Sequence, residues 1–408
     1  MSLKPTSAQV IPELTARVAK AAFPKEDNLY MKMRDELGVI YADEQFLELF
    51  PSRGQPAEAP GRLALVTIMQ FAEGLTDRAA ADAVRSRIDW KYALGLELED
   101  SGFHYSVLSK FRKRLLLAGA EEGLLNQMLD QLQAKGLLKA GGTMRTDSTH
   151  IVGTIRNLNR LVLVGETLRH ALDTLAAVAP AWLQSIAPQE WYKQYDRPLH
   201  EYKMPTKTAE RDALARRIGE DGLTLLQLIY EDLDMVWLRE IPAVQTLRQV
   251  WVQQYYQQEG QLVWRSNKEA APSSKRIVSP FDIEARQAAK RDNHWQGYKV
   301  HLTETCDADA PKIITHVETR SAPEADTNAT ADIHAELANK ALLPKQHVVD
   351  MGYVAGHHIV SSQAEYGIDL LGPIQPDTSW QAQDKEAFDT TTFTYDWEKE
   401  LAICPQGK

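Results

Sequence analysis

Two strand-like runs that each end on an aspartate, 203 residues apart, constrain the fold of this 408-residue chain more than any other feature. Gly141 and Gly142 introduce the first, Thr143-Met144-Arg145-Thr146, which leads into Asp147, Ser148, Thr149 and His150. The second, His347-Val348-Val349, ends on Asp350 and runs into Met351, Gly352 and Tyr353. Two more strand-like runs lie between them, Gly297 to Glu304 and Lys312 to Arg320. If these strands share a sheet, carboxylates from distant sequence meet at one of its edges. Paired carboxylates on a rigid sheet bind Mg²⁺, and paired Mg²⁺ ions promote phosphoryl chemistry. On local sequence alone, Asp147 also reads as a plain strand-end carboxylate and Asp350 as a strand-to-turn exit.

The length allows two or three domains with real cores. Apolar residues make up 44% and charged residues 25%, as in an ordinary globular protein. No apolar run reaches the roughly 20 residues of a membrane span, and the first residues lack the apolar stretch of a signal peptide. The two cysteines, Cys306 and Cys404, argue against a disulfide scaffold and fit a reducing cytoplasm. A zinc site is not expected without a Cys-x-x-Cys pair. The net charge of −10 argues against nucleic-acid binding by the chain as a whole, but local patches decide contact.

Residues 1–60 read as a leader with one helix and a loop, closed by Pro51, Gly54, Pro56, Pro60 and Gly61. Residues 61–140 read as helical. Leu63, Val66, Thr67, Met69 and Phe71 form an apolar stripe, Gly74 stops that helix, and Thr76 caps the next, Asp77 to Ile88. This cadence suits either a DNA-reading unit or plain helix packing. A further helix starts near Ser106. It buries Val107, Leu108, Phe111 and Leu115, leaving Lys110, Arg112, Lys113 and Arg114 outward, as phosphate contacts or as a solvated face. Residues 141–376 form the second domain, with a helical insertion over about 155–280 that carries the stripe Leu161, Val164, Leu168, Leu172 and Leu175. A basic, helix-like stretch (Arg286, Lys290, Arg291) then precedes the strand at Tyr298. Without the insertion the order is β-β-β-α-β-α-β, which predicts an α+β fold with a mixed five-stranded sheet. Residues 377–408 read as the start of a C-terminal β segment.

That order resembles the RNase H-like fold of DDE transposases. The chain is similar to bacterial insertion-sequence transposases with an InsH-like N-terminal domain. The residues that carry the resemblance are Gly102 to Leu115, Thr146 to His150, Asn159 to Arg169, Trp295 to His301 and Val349 to Tyr353. Together, in this order and over nearly the whole chain, they are a specific combination. The resemblance implies that Asp147 and Asp350 are neighbours, catalytic, and ligands of Mg²⁺ (or Mn²⁺), with Asp147 bridging. It implies binding of terminal inverted repeats and target DNA, Mg²⁺-dependent cleavage and strand transfer in a full-length form, and a homodimer on DNA in the bacterial cytoplasm. Lys299 reads as a phosphate contact or an exposed strand lysine, and His150 as part of the active-site rim.

The family pattern also asks for a third acid, a glutamate on a helix after the fifth strand. The residues after Ile374 read instead as a polar loop and a hairpin, Thr391 to Tyr395 and Glu400 to Cys404. The expectation is a C-terminally truncated transposase with little strand-transfer activity, or a catalytically defective product that acts only as a DNA-binding protein or repressor.

Overall fold

The computed structural model describes residues 2–5, 9–25, 27–153, 158–200, 204–290, 293–384 and 386–407. It divides into two compact units. The first comprises Met1–Gly142 with Cys306–Ile313 and Lys340–Leu342.

That unit is helical. Its α-helices are Glu13–Ala22, Leu29–Leu37, Pro60–Ala72, Asp77–Ser86, Ile88–Leu94, Ser106–Ala118 and Glu122–Ala134. Leu63, Val66 and Met69 are buried with Trp90, Leu94, Leu108, Phe111 and Leu115 in one core. Tyr30, Tyr41 and Phe46 join it, so the first 60 residues supply two helices, a 3₁₀ turn (Asp43–Leu49) and core side chains where one helix was expected. Phe71 departs from the predicted stripe and is 72% exposed. At Gly74 the chain turns with φ +63°, a conformation costly for any residue with a Cβ, and Thr76 Oγ1 then accepts from Ala79 N–H to cap the next helix.

The second unit comprises Thr143–Thr305, Ile314–Asn339 and Leu343–Lys408. Strand β1 (Thr143–Val152) is followed by helices Arg160–Val178, Pro180–Ile186, Gln189–Gln194, Thr208–Glu231 and Pro242–Gln254. The predicted stripe from Leu161 to Leu175 is buried against Ile218, Leu225, Leu247, Val250 and Trp251. Gly222 lets the indole of Trp251 close on its helix, since an added Cβ would lie 2.1 Å from that ring. The last of these helices stops at Gln254, because Tyr255–Gln258 (β2) pairs with Gln261–Trp264 (β3) as a hairpin.

The remaining strands are β4 (Arg286–Lys290), β5 (Asn293–Thr305), β6 (Ile314–Ser321), β7 (Gln346–Val349), β8 (Asp369–Leu371), β9 (Thr394–Asp396) and β10 (Leu401–Ile403). Helix Thr327–Asn339 joins β6 to β7, and helix Gly356–Tyr366 joins β7 to β8. The main sheet is mixed. β5 pairs antiparallel with β1, β4 and β6, whereas β1, β7 and β8 run parallel in that order. The α+β expectation holds, with the order β6-β5-β1-β7-β8 for its five strands.

The sixth strand is a correction. Arg286 and Lys290 belong to β4, not to a helix-like stretch, and Arg291 lies outside the described residues. Five residues are too few to offset the cost of nucleating a helix. The first part of β5 extends beyond β6 and offers an open ladder, which Arg286 to Lys290 fill opposite Gly297 to Asn293. The C-terminal hairpin, β9 with β10, lies within the predicted residues. No helix among the described residues is long and apolar enough to cross a membrane.

Candidate active site

The parallel pairing of β1 with β7 sets the geometry. Thr146 is opposite Val349, the last parallel pair of the two strands, so Asp147, within β1, lies beside Asp350, the residue that follows β7. Both are exposed. Asp147 Oδ1 accepts from Ser148 N–H within β1 at 2.7 Å, and Asp350 Oδ1 accepts from Gly352 N–H in the turn after β7 at 2.8 Å, which orients each carboxylate. Asp147 faces a shallow cavity of about 210 Å³ with Arg145, Thr149, Leu302 and Glu304.

Side chains that alternate to the other face of β1 hold this edge rigid. Thr146 Oγ1 lies 2.7 Å from Thr303 Oγ1 on β5 and 2.6 Å from His347 Nε2 on β7. His347 Nδ1 meets His334 Nε2 at 2.8 Å, and His334 Nδ1 meets Ser362 Oγ at 3.2 Å. This buried chain ties three strands to both helices immediately before Asp147 and Asp350. Burial holds the imidazoles neutral, lowering His334 to about 4 and His347 to about 3, with a lesser contribution from His358 beside His334 and from His334 beside His347. A neutral imidazole has one donor and one acceptor nitrogen, which is what each ring needs here.

A second buried contact supports the loop after Asp350. Tyr353 Oη lies 2.6 Å from His301 Nδ1, and Ser148 is also within hydrogen-bonding reach of Tyr353. Burial, then the nearby Asp326, pushes the phenol above its ordinary range, so Tyr353 stays protonated. Asp326 itself sits beside Asp350. A Cβ placed on Gly352 would come 2.9 Å from Asp326 Oδ2 and 3.0 Å from Asp350 Oδ1. Gly352 therefore leaves room for the two carboxylates to approach.

Asp326, His301, His334 and His347 were not singled out from the sequence as site residues. Asp326 precedes the helix Thr327–Asn339, where an aspartate reads as an ordinary cap. The histidines did carry a signal, as polar residues at positions where strand or helix periodicity points inward.

The predicted phosphate contacts fall into two groups. On helix Ser106–Ala118, Lys110 and Lys113 are exposed, whereas Arg112 and Arg114 are half-buried. Arg112 grips both oxygens of Asp77 at 2.8 Å; Arg114 donates to Leu49 O at 2.8 Å and stacks on Phe50. Lys299 on β5 donates to Asp326 Oδ1 at 2.8 Å and to Glu324 O at 2.7 Å. His150 stacks on Trp295 with ring centroids 3.7 Å apart.

As a metal centre the arrangement offers hard oxygen donors from two carboxylates. Mg²⁺ is commonly held by one or two carboxylates, with water and substrate phosphate completing its shell, so the donors suit one such ion. Among the described residues no group of three or more His, Cys, Asp or Glu side chains is arranged to hold a metal ion.

No curated protein and no solved structure matches the chain. Residues 17–114, within the helical unit, match the family model described as Transposase domain (DUF772), and this match supports a transposase.

Proposed function

We propose that the chain is a DDE-type transposase that binds the ends of an insertion sequence and cleaves DNA at Asp147 and Asp350. The observation that carries this reading is the register Thr146↔Val349, which brings Asp147 in β1 beside Asp350 at the end of β7, two aspartates from distant sequence. The strand order, with β1 between β5 and β7, and the transposase-domain match at residues 17–114 support it. Asp147 and Asp350 would hold Mg²⁺ or Mn²⁺, and the ion, when bound, supplies Lewis-acid stabilisation of charge on a phosphodiester. The protein's own residues supply position. The chain Thr303–Thr146–His347–His334–Ser362 fixes the register below the carboxylates, and Tyr353 with His301 fixes the turn that follows Asp350. Lys110 and Lys113 contact the phosphate backbone of the terminal repeats, while Arg112, Arg114 and Lys299 act through the elements they hold. Two chains on paired ends would form the working assembly.

The test is cleavage of a labelled duplex carrying the element's terminal repeat, with Mg²⁺, by the wild-type chain and by Asp147→Asn and Asp350→Asn. Cleavage by the wild type that both variants lose supports the reading; cleavage indifferent to both substitutions rejects it.

One observation favours a second reading, a DNA-binding product without catalysis. The described residues hold no three-group metal cluster. End-specific binding with no metal-dependent cleavage would select that alternative.

A further inference from the structure

A groove of about 590 Å³ opens on the face of the sheet opposite the Asp147 side chain. The register His150↔Lys299 and the two-residue alternation put Ser148, His150, Trp295 and Lys299 on one face. The groove wall continues through Arg276, Lys290 and His294.

Its charge opposes that of the whole chain. Among the described residues three cations line it (Arg276, Lys290, Lys299) against a single anion, Asp326, in a protein of net charge −10. Lys299 already neutralises Asp326 at 2.8 Å. Arg276 donates through Nε and Nη2 to Ala271 O, which fixes its guanidinium, and Lys290 is exposed on the edge strand β4. The floor carries a ready-made stacking surface, the exposed His150 ring parallel to the half-buried Trp295 indole within 21°. The groove joins the carboxylate edge through Asp326, which lines it and stands beside Asp350 at Gly352.

Cations along a groove with aromatic rings on its floor are the two features that hold an unpaired nucleic-acid strand. The cations follow the phosphates, and the rings accept base faces regardless of sequence. We infer that this groove binds an unpaired DNA strand, with a base stacked on the His150–Trp295 pair and phosphates at Lys290 and Arg276. The inference rests on the reading that the chain acts on DNA and adds the form of that DNA: unpaired in the groove that reaches Asp350 by way of Asp326.

The experiment is fluorescence anisotropy of the full chain at fixed salt with two labelled probes, an oligodeoxythymidine of about 20 nucleotides and a blunt duplex of equal length. Trp295→Ala is expected to weaken binding of the single strand about tenfold, and Trp295→Phe to retain most of it, as stacking on one ring predicts. Duplex binding, assigned to Lys110 and Lys113, is expected to stay within about twofold. Should Trp295→Ala fail to fold, His150→Ala at an exposed position makes the same test. Wild-type chain that does not bind the single strand overturns the inference, as does equal loss for both probes or no loss in Trp295→Ala or His150→Ala. The two proposals fail separately. Trp295-dependent single-strand binding without Asp147-dependent cleavage removes the catalytic reading alone, and the converse removes the groove alone.

Discussion

In the helical unit Arg87 lies between Glu73 and Asp89, Arg112 grips Asp77, and buried Lys91 donates to the carbonyls of Leu98 and Asp100 at 2.8 and 2.7 Å. At the C-terminal edge of the sheet, Asp147 and Asp350 face solvent and accept only backbone N–H groups among the hydrogen bonds of the described residues. The polar groups beneath them are uncharged, a line of hydroxyls and neutral imidazoles. The difference teaches how to separate charges that build a fold from charges open to a ligand. A paired, buried ion is required by its neighbours, whereas an exposed carboxylate held on a rigid sheet has its position fixed and its charge unmet.

The sharpest break between the two regions comes from removing one carboxylate in each. Asp147→Asn is expected to lower Mg²⁺-dependent cleavage by about a thousandfold, the scale of several kcal/mol that metal-held charge supplies. Its stability should stay within about 0.5 kcal/mol, as for an exposed site. Asp89→Ala should do the reverse. The Asp89 side chain is 6% exposed, pairs with Arg87 at 2.6 Å and accepts from Asn28 and Trp90. Its loss strands the Arg87 charge against Glu73 alone, so urea unfolding should show a loss of about 3 kcal/mol. Equal stability losses in the two variants would erase the distinction.

Much of this was legible beforehand, and what was not has a physical reason. The buried stripe Leu161–Leu175 and the core positions Leu108, Phe111 and Leu115 follow from helical periodicity, which local residues dictate. The strand order after residue 293 was also readable, because runs with alternating or apolar residues are separated there by turns and helices. β4 was missed because its pairing depends on a free ladder on β5, a tertiary fact invisible in Arg286 to Lys290 themselves. The adjacency of Asp147 and Asp350 came from family resemblance, since no local signal encodes a contact across 203 residues. Arg112 and Arg114 looked equivalent to Lys110 and Lys113 in sequence. Only the partners Asp77 and Leu49, 35 and 65 residues away, separate them.

Acid tests the neutral side of the comparison. His334 and His347 titrate near 4 and 3 in the folded chain and near 6.5 when unfolded. Between these values the unfolded chain binds more protons, so stability is complete above about pH 6.5 and falls as pH drops toward 4. From pH 7 to pH 5 the two rings together should cost about 4 kcal/mol of unfolding free energy. His347→Gln keeps a hydrogen-bonding amide without the titration, so its slope over this range should be about half as steep. A slope unchanged in that variant would move the effect away from the buried chain.

The smallest effect asked of the comparison concerns one helix face. Lys110 and Lys113 are exposed and line a surface hollow with Glu48, Leu49 and Leu117, so replacing both with Gln leaves folding unchanged. If they meet phosphates, each releases a counterion on binding, and the slope of log K against log salt falls by about two for the pair. Arg112→Gln is the internal control. Its guanidinium holds Asp77 in a two-pronged pair that keeps this carboxyl below its usual range, beside Gln70 of the preceding helix. That pair is about a quarter exposed on each side, so its loss costs on the order of 1 kcal/mol, and the salt slope stays as in the wild type. A salt slope that drops in Arg112→Gln but not in the lysine pair would reverse the assignment. It would mean that the arginine leaves Asp77 for DNA, and that an ion pair seen within the fold does not mark a charge as closed to a ligand.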